Sequence, residues 1–295
     1  MAESTIKHCF GWCPDMPSVH DLHIDSPVVK PLLAKVKGAG AKTAPIKLAK
    51  TVDLRAWCSP IENQLNIGSC TANAGVGLVE YYERRAFGKH VDASRLFLYK
   101  TTRNLLKWTG DTGAYLRSTL KALALFGVPP EDYWPYVVAD YDKEPSAFLY
   151  SFASNFQAMK YYRLDPPGTS PAALLTAIKT NLLAGLPSFF GFTVYSSYNQ
   201  ASLANQGAIP FPVATDKVVG GHAVMVVGYD DSVKIKNTAA GAPNFTGALM
   251  IRNSWGTTWG DGGYGWLPYE YVLRGQATDW WSLISAEWVD TGQFS

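Results

Sequence analysis

Helix signals come first along the chain, and strand signals follow. Residues 72–86 are rich in Ala, Val, Leu and Glu and are followed by Gly88, which predicts a helix that begins near Cys70 and ends at that glycine. Two further helices are predicted at 116–126, closed by Gly127, and at 171–184, with a proline in its first turn. Apolar or alternating runs predict five strands, at 188–195, 223–229, 249–253, 264–267 and 282–289.

This order of elements predicts the fold class. Helices followed by strands are typical of an α+β protein with segregated lobes, whose facing surfaces form a cleft. The chain has 295 residues, of which 47% are hydrophobic, so it is long enough to bury a core. A formal charge of only +2 argues against a general nucleic-acid binder, and no apolar run reaches the roughly 20 residues of a membrane span. We expect a monomer that binds neither nucleic acid nor membrane.

The first fifty residues differ from the rest of the chain. They carry 7 Lys and no Arg against 4 acids, and there is no acid between Asp25 and Asp53. The lysines of this stretch stand among Pro, Gly and Ala without a helical or strand period, which indicates an extended appendage with a solvated basic linker. Binding to an anionic surface is the alternative interpretation. We therefore predict an N-terminal segment at 1–50 and a folded domain at 51–295.

Cys70 is the strongest candidate nucleophile. A thiol of ordinary pKa, roughly 8.5, is only a few per cent ionised at neutral pH, so a catalytic cysteine needs a group that stabilises its thiolate. The predicted helix N-terminus is one such group. His90 would lie at the other end of the same helix, roughly 30 Å away. His222 follows two glycines at the start of a predicted strand, and a rigid strand suits a general base.

Two amide side chains complete the candidate site. Asn253 ends the predicted strand 249–253 and offers an oxygen that would orient the imidazole, with Trp255 available to shield that hydrogen bond from water. Gln64 stands six residues before Cys70 and offers an amide donor for a developing oxyanion, a contact typically worth about 10²- to 10³-fold in rate. Each residue alone is more often structural, so the hypothesis depends on their combination.

Three motifs together resemble the papain-like cysteine peptidases, family C1. The resemblance covers about residues 51–290, and its motifs are Gln64-Leu-Asn-Ile-Gly-Ser-Cys70, Gly221-His222-Ala223-Val224 and the run from Asn253-Ser254-Trp255-Gly256 to Tyr264. It implies a two-lobed fold, with the nucleophile helix in a helical lobe and His222 and Asn253 in a β-barrel-like lobe across the cleft. Thr71 directly follows Cys70, where the family usually has an aromatic residue. In this feature the chain resembles a bacterial, xylellain-like branch of the family.

The resemblance also implies the role of each residue. Cys70 would be the nucleophile, His222 the general acid and base, Asn253 the orienting residue and Gln64 the oxyanion donor, with no metal or organic cofactor. Residues 111–115 resemble the glycine-bearing wall that binds extended substrate backbone, and the residues beside the histidine line the pocket for the second residue before the scissile bond. The implied substrate-binding residues are Gly113, Gly191, Gly221, Ala223 and Trp255.

The function predicted is a cysteine endopeptidase synthesised as a zymogen, with a peptide or protein substrate and its own N-terminal segment as intramolecular inhibitor. Residues from about 8 to 28 would lie across the active site, anchored by an aromatic residue and rigid prolines in 11–17, and a cut between about 30 and 50 would release them. The alternative is a strap on the back of the domain. A catalytically silent papain-like binding protein and a cysteine acyl-transferase are the alternative functions.

The remaining cysteines and tryptophans carry weaker signals. Ile67 stands where the family usually has a disulfide cysteine. The cysteines other than Cys70 form either one structural disulfide bridge or none; they are Cys9, Cys13 and Cys58. Their spacing to His8, His20 and His23 lacks a strong zinc pattern. The tryptophans of the C-terminal run are expected in the core; they are Trp280, Trp281 and Trp288. No signal peptide is visible, so the compartment stays unknown.

Overall fold

The computed structural model describes residues 9–36, 48–156 and 160–294. Within these ranges the helices are α1 Lys30–Val36, α2 Cys70–Phe87, α3 Arg95–Leu106, α4 Leu116–Phe126, α5 Ala147–Ala153, α6 Pro171–Leu183, α7 Glu270–Leu273 and α8 Ala286–Val289. The strands are β1 Thr51–Asp53, β2 Lys160–Arg163, β3 Ser188–Tyr195, β4 Val218–Lys236, β5 Asn244–Arg252, β6 Tyr264–Pro268 and β7 Ala277–Ile284.

Helix α2 is the buried centre of the helical part. Most of its residues are buried, and it packs against α3 and α4. It ends as predicted, because Gly88 adopts a left-handed conformation with φ of 73° and its amide bonds to the carbonyl of Arg84. The first residue of this helix, Cys70, therefore lies inside the molecule and not at its surface.

The strands form one antiparallel sheet in the order β2-β7-β3-β4-β5-β6, with β1 paired to β4. In the register of β3 with β4, Gly191 lies beside Ala223 and Phe192 beside His222. The combination of a helical part and an antiparallel sheet confirms the predicted α+β class. No helix among the described residues is long and apolar enough to cross a membrane.

The last predicted strand, 282–289, is only half right. Strand β7 begins five residues earlier and ends at Ile284, after which the chain turns into α8. Ser282 still pairs with Tyr162 of β2, but Trp288 instead stacks on Tyr82 of α2, with ring centroids 4.8 Å apart. This aromatic stack takes the chain away from the sheet. All three C-terminal tryptophans are buried, as expected.

Helix α3 was not predicted from the sequence. Three of its cationic side chains are buried, which hides the amphipathic pattern, and each is held by carboxylates from other segments: Arg95, Lys100 and Arg103. Buried cations of this kind are tolerated only with such partners. These partners lie 33 residues or more away along the chain, so a local reading of the sequence does not find them.

Part of the N-terminal segment is also more ordered than predicted. Helix α1 lies within the stretch that the sequence indicated as a solvated linker. Its apolar side chains at Val29, Leu33 and Val36 are buried, while Lys30 and Lys35 face outward. The apolar residues thus recur every three to four positions, a period that the abundant lysines obscured. The rest of that linker, residues 37–47, lies outside the described residues.

Candidate active site

Cys70 lies at the junction of the helical part and the sheet. Its side chain is completely buried, and backbone hydrogen bonds at Thr71, Ala223 and Gly11 reach its sulfur. Because Ala223 is the neighbour of His222 on β4, the thiol lies next to the candidate general base. Burial raises the pKa of the Cys70 thiol to about 11, although the backbone hydrogen bonds oppose that shift.

Asn253 fixes the orientation of the His222 ring. Its Oδ1 lies 2.8 Å from His222 Nε2, and the same oxygen accepts the backbone N–H of Ser254 at 2.8 Å. Since that oxygen is an acceptor, Nε2 is the donor of the pair. The indole of Trp255 stacks on the imidazole with ring centroids 4.6 Å apart, so the hydrogen bond is shielded from water.

Gln64 is buried with its amide group held at both ends. Its Oε1 accepts the Ser254 hydroxyl at 2.6 Å, which directs Nε2 toward the cleft. Nε2 donates to the carbonyls of Ile67 at 3.0 Å and of Cys9 at 3.1 Å. The second contact demonstrates that a peptide carbonyl entering this site meets the Gln64 donor.

Residues 9–13, which we call the cleft segment, bridge the two sides of the site. Trp12 donates its backbone N–H to Gly221 at 2.9 Å on the sheet side. On the helical side, Ala114 donates to the carbonyl of Gly11 at 2.8 Å and accepts from the amide of Cys13 at 3.0 Å. The cleft segment is thus held by strand-like hydrogen bonds over Cys70, which explains why the thiol is inaccessible.

The side chains of the cleft segment fill the space on either side of the thiol. Phe10 makes edge contacts with the rings of His222 and Trp255, at centroid distances of 6.0 and 6.1 Å. Trp12 is 8% exposed and lies so close over Gly191 that a Cβ there would fall 1.9 Å from the indole. Its Nε1 donates to Asp279 Oδ2 at 3.3 Å.

The implied substrate-binding residues lie around this segment, with one difference in detail. Gly191 and Gly221 border the Trp12 ring, and Ala223 borders the thiol. Gly113 also touches the segment, since a Cβ on it would fall 2.1 Å from the carbonyl of Gly11. The backbone hydrogen bonds, however, are made by its neighbour Ala114.

Sequence reasoning missed Asp279 at the bottom of the Trp12 pocket. The residue lies on β7, is 1% exposed and has a φ of 62°, in the left-handed region. Burial raises the pKa of its carboxyl to about 6, an effect that Arg163 and the indoles of Trp281 and Trp12 oppose. The only available signal was an acid within an otherwise apolar run, and no local pattern connects that acid to a cleft.

The remaining cysteines and histidines form neither a disulfide bond nor a metal site in the part of the chain that the structure describes. None of the four cysteines, all of which the structure describes, forms a disulfide bond. Cys9 Sγ instead donates to the carbonyl of Asn66 at 3.0 Å. Of the histidines considered as metal ligands, His8 lies outside the described residues. Across the described ranges no cluster of three or more His, Cys, Asp or Glu side chains is arranged to hold a metal ion.

Comparison with known proteins identifies the family. The family model for papain family cysteine proteases matches residues 48–274, which is most of the chain. The chain belongs to this family. It is therefore a papain-like cysteine peptidase, a hydrolase, and the resemblance found in the sequence motifs is confirmed.

Individual relatives agree with the family assignment. The chain is 31% identical over 291 residues to an uncharacterized peptidase C1-like protein of Acanthamoeba polyphaga mimivirus, a match that covers 96% of this chain and 89% of that protein. It is 27% identical over 217 residues to cathepsin K of Gallus gallus, which covers 71% of this chain and 55% of that protein.

Solved structures agree with the fold. Xylellain, a cysteine protease from Xylella fastidiosa, superimposes with a TM-score of 0.72 at 31% identity, over 94% of this chain and 96% of that one. The procathepsin L 3 of the Tenebrio molitor larval midgut superimposes with a TM-score of 0.60 at 20% identity, over 86% of this chain and 78% of that one. The second likeness concerns the fold alone.

The position of Cys70 predicts the effect of removing each thiol. We expect Cys70→Ala to lower peptide hydrolysis by at least about 10³-fold, because it removes the sulfur at the junction of α2 and β4. Cys13→Ala, and likewise Cys9→Ala, should leave the processed enzyme active, since both thiols belong to the N-terminal segment that processing is proposed to remove. Hydrolysis rates and labelling by a thiol-reactive epoxide measure both effects. Full activity of the Cys70 variant would refute the assignment.

The His222 and Asn253 pair predicts unequal losses. We expect His222→Ala to be more harmful than Asn253→Ala, because the second change disorients the ring without removing it. The pH profile of kcat/KM should be bell-shaped, with an acid limb set by thiolate formation and a basic limb set by loss of the imidazolium. Equal losses in two variants with the same Tm would contradict these roles.

Proposed function

We propose that this papain-family protease is an endopeptidase synthesised as a zymogen, in which Cys70, His222, Asn253 and Gln64 carry out the chemistry and residues 9–13 block it. The observation that carries the proposal is the occupation of the cleft. A peptide backbone is already hydrogen-bonded to both of its sides, beside the thiol and the Gln64 donor. A site that binds extended backbone in this way suits a peptide substrate.

The reaction follows from the positions of these groups. With Asn253 holding Nε2, the other ring nitrogen, Nδ1, takes the Cys70 proton. The thiolate attacks the scissile carbonyl, and the Gln64 amide together with the Cys70 backbone N–H stabilises the oxyanion. The imidazolium then protonates the leaving amine, which leaves a thioester on Cys70. Water, deprotonated by His222, hydrolyses that thioester and restores the free thiol.

Burial of the thiol supports inhibition by the cleft segment. The Cys70 side chain has no exposed surface while the segment is present, and desolvation raises its pKa to about 11. At neutral pH such a thiol is almost wholly protonated and therefore a poor nucleophile. Phe10 and Trp12 occupy the space on both sides of it, so a substrate cannot enter until the segment leaves.

Ion pairs attach the chain that follows the cleft segment to the folded domain. Arg117 of α4 pairs with Asp15 and, at 2.7 Å, with Asp21. Arg163 donates its backbone N–H to the carbonyl of Leu22 at 2.7 Å. These contacts favour the interpretation that residues 14–23 hold the cleft segment in place, with the predicted processing region following them.

The decisive test of the chemistry is to locate a covalent adduct. We expect an epoxide thiol-protease inhibitor to label Cys70 after limited proteolysis of the 30–50 region and to label it slowly before. Mass spectrometry of the modified peptide identifies the residue. A catalytically silent binding protein would cleave no peptide after processing, whereas an acyl-transferase would transfer the acyl group to an added amine in preference to water.

Truncation separates inhibition from a merely structural attachment. A variant that lacks residues 1–13 should hydrolyse a small fluorogenic peptide at least about 10-fold faster per folded molecule than the full chain, because the cleft is open. A variant that lacks residues 1–8 keeps the cleft segment and is the matched control. Deletion of residues 1–45 should have the effect of the longer truncation. An unchanged rate in all three variants would contradict inhibition by this segment.

A further inference from the structure

The pocket that Trp12 fills ends on a buried carboxylate. Asp279 is 1% exposed, and its Oδ2 faces the pocket, where it accepts the Trp12 indole N–H at 3.3 Å. Its Oδ1 is directed the other way and accepts Trp281 Nε1 at 2.7 Å. One oxygen of this acid is thus held by the protein, and the other is available to a side chain in the pocket.

Asp279 shares the guanidinium of Arg163 with two other carboxylates. Its NH1 lies 3.1 Å from Asp279 Oδ1, and its side chain is 2% exposed. Asp165 also contacts Arg163, at 2.9 Å, and Asp21 of the N-terminal segment lies 3.7 Å away. A cation in the pocket would have to be desolvated. A neutral N–H donor, such as the indole of Trp12, does not carry this cost.

The walls of the pocket favour a flat side chain. The indole of Trp12 passes over Gly191 and Gly221, and a Cβ on these residues would fall 1.9 and 2.8 Å from ring atoms. These two glycines lie on the same face of β3 and β4, so they form one bare backbone wall against which a planar aromatic ring fits. The flat wall and the carboxylate at the floor of the pocket together favour an aromatic side chain that carries a hydrogen-bond donor.

We propose that Asp279 is a specificity-determining residue that makes this protease prefer tryptophan at the second position before the scissile bond. The inference rests on the proposed function, because it assigns to a substrate the pocket that Trp12 occupies in the zymogen. Phenylalanine would fill the apolar part of the pocket and leave Oδ2 without a donor. The chain thus inhibits itself with the side chain that its own pocket recognises.

Peptide substrates test the preference in the variant that lacks residues 1–13, in which the cleft and the pocket are open. Three peptides differ only at the second position before the scissile bond, which carries Trp, 3-benzothienylalanine or Phe. The benzothienyl group has nearly the shape of indole but carries sulfur in place of N–H. We expect kcat/KM for Trp to exceed that for benzothienylalanine by about 10-fold, the usual worth of a hydrogen bond to a charged acceptor. Phe, which lacks both the donor and the second ring, should be the poorest of the three.

The ratio of kcat/KM for the Trp peptide to that for the benzothienylalanine peptide is then measured in the Asp279→Asn variant, to test whether the carboxylate causes the preference for Trp. Asparagine tolerates the left-handed backbone at this position. Trp281 and Arg163 hold its single oxygen, so its NH2 group faces the pocket and the ratio of Trp to benzothienylalanine should fall to about 1. A general loss of activity cancels in that ratio. Asp290→Asn, which changes an exposed acid paired with Lys35, is the matched control and should keep the ratio. A ratio of 1 before the change, or one that Asp279→Asn does not alter, would overturn the inference while the protease function stands.

A measurement of Tm, which needs no hydrolysis, separates the proposed role of Asp279 from the proposed protease function. In the full-length chain, Trp12→Phe and Asp279→Asn should each lower Tm, and the double variant should lower it by less than the sum, because both remove the same hydrogen bond. Additive losses would overturn the pairing of the indole with Asp279 whether or not any peptide is cleaved. Coupling in Tm, together with failure of every peptide and of Cys70 labelling, would instead refute the protease function.

Discussion

The contact between the first residue of α2 and the middle of β4 is the constraint on which the site depends. Cys70 must lie at a helix N-terminus, where amides favour an anion, and also beside a strand that carries an imidazole. Helix α2 is buried along most of its length between α3, α4 and β4, and this packing brings its first residue to the sheet.

The cleft segment uses the same surfaces that a substrate would need. Its backbone bonds to Ala114 and Gly221, its Cys9 carbonyl to Gln64, and its Trp12 side chain to the acid beneath the pocket. Gly11 passes so close to the residues before α2 that a Cβ on it would fall 1.8 Å from the carbonyl of Gly68. Under the proposed function, inhibition and substrate binding depend on one set of contacts, and we expect a mutation that weakens the first to alter the second.

The sequence predicted what local patterns and short motifs encode. The bounds of α4 and β3, the start of α2 at Cys70 and its end at Gly88 follow from capping residues and apolar runs, and the fold class follows from their order. The family was also predictable, because its motifs are short and contiguous. The roles of the four candidate catalytic residues remain predictions, although their positions suit them.

The features that the sequence did not predict are those that depend on distant partners. Helix α3 was hidden because its buried cations are stabilised by carboxylates far along the chain, and α1 because lysines surround its apolar face. Asp279 lacked a signal for the same reason, since Arg163 and Trp12 reach it only in the folded chain. Tertiary ion pairs and close backbone approaches have no local period to detect.

The account's central claim is that the cleft segment silences Cys70 by burying its thiol. The rate of alkylation of Cys70 as a function of pH tests this claim most directly, because only the thiolate reacts. In the full-length chain the rate should rise with a midpoint near 11, in accord with the raised pKa of the buried thiol. After removal of residues 1–13 the midpoint should fall to about 8.5 or lower. A midpoint that is the same in both forms would contradict the account.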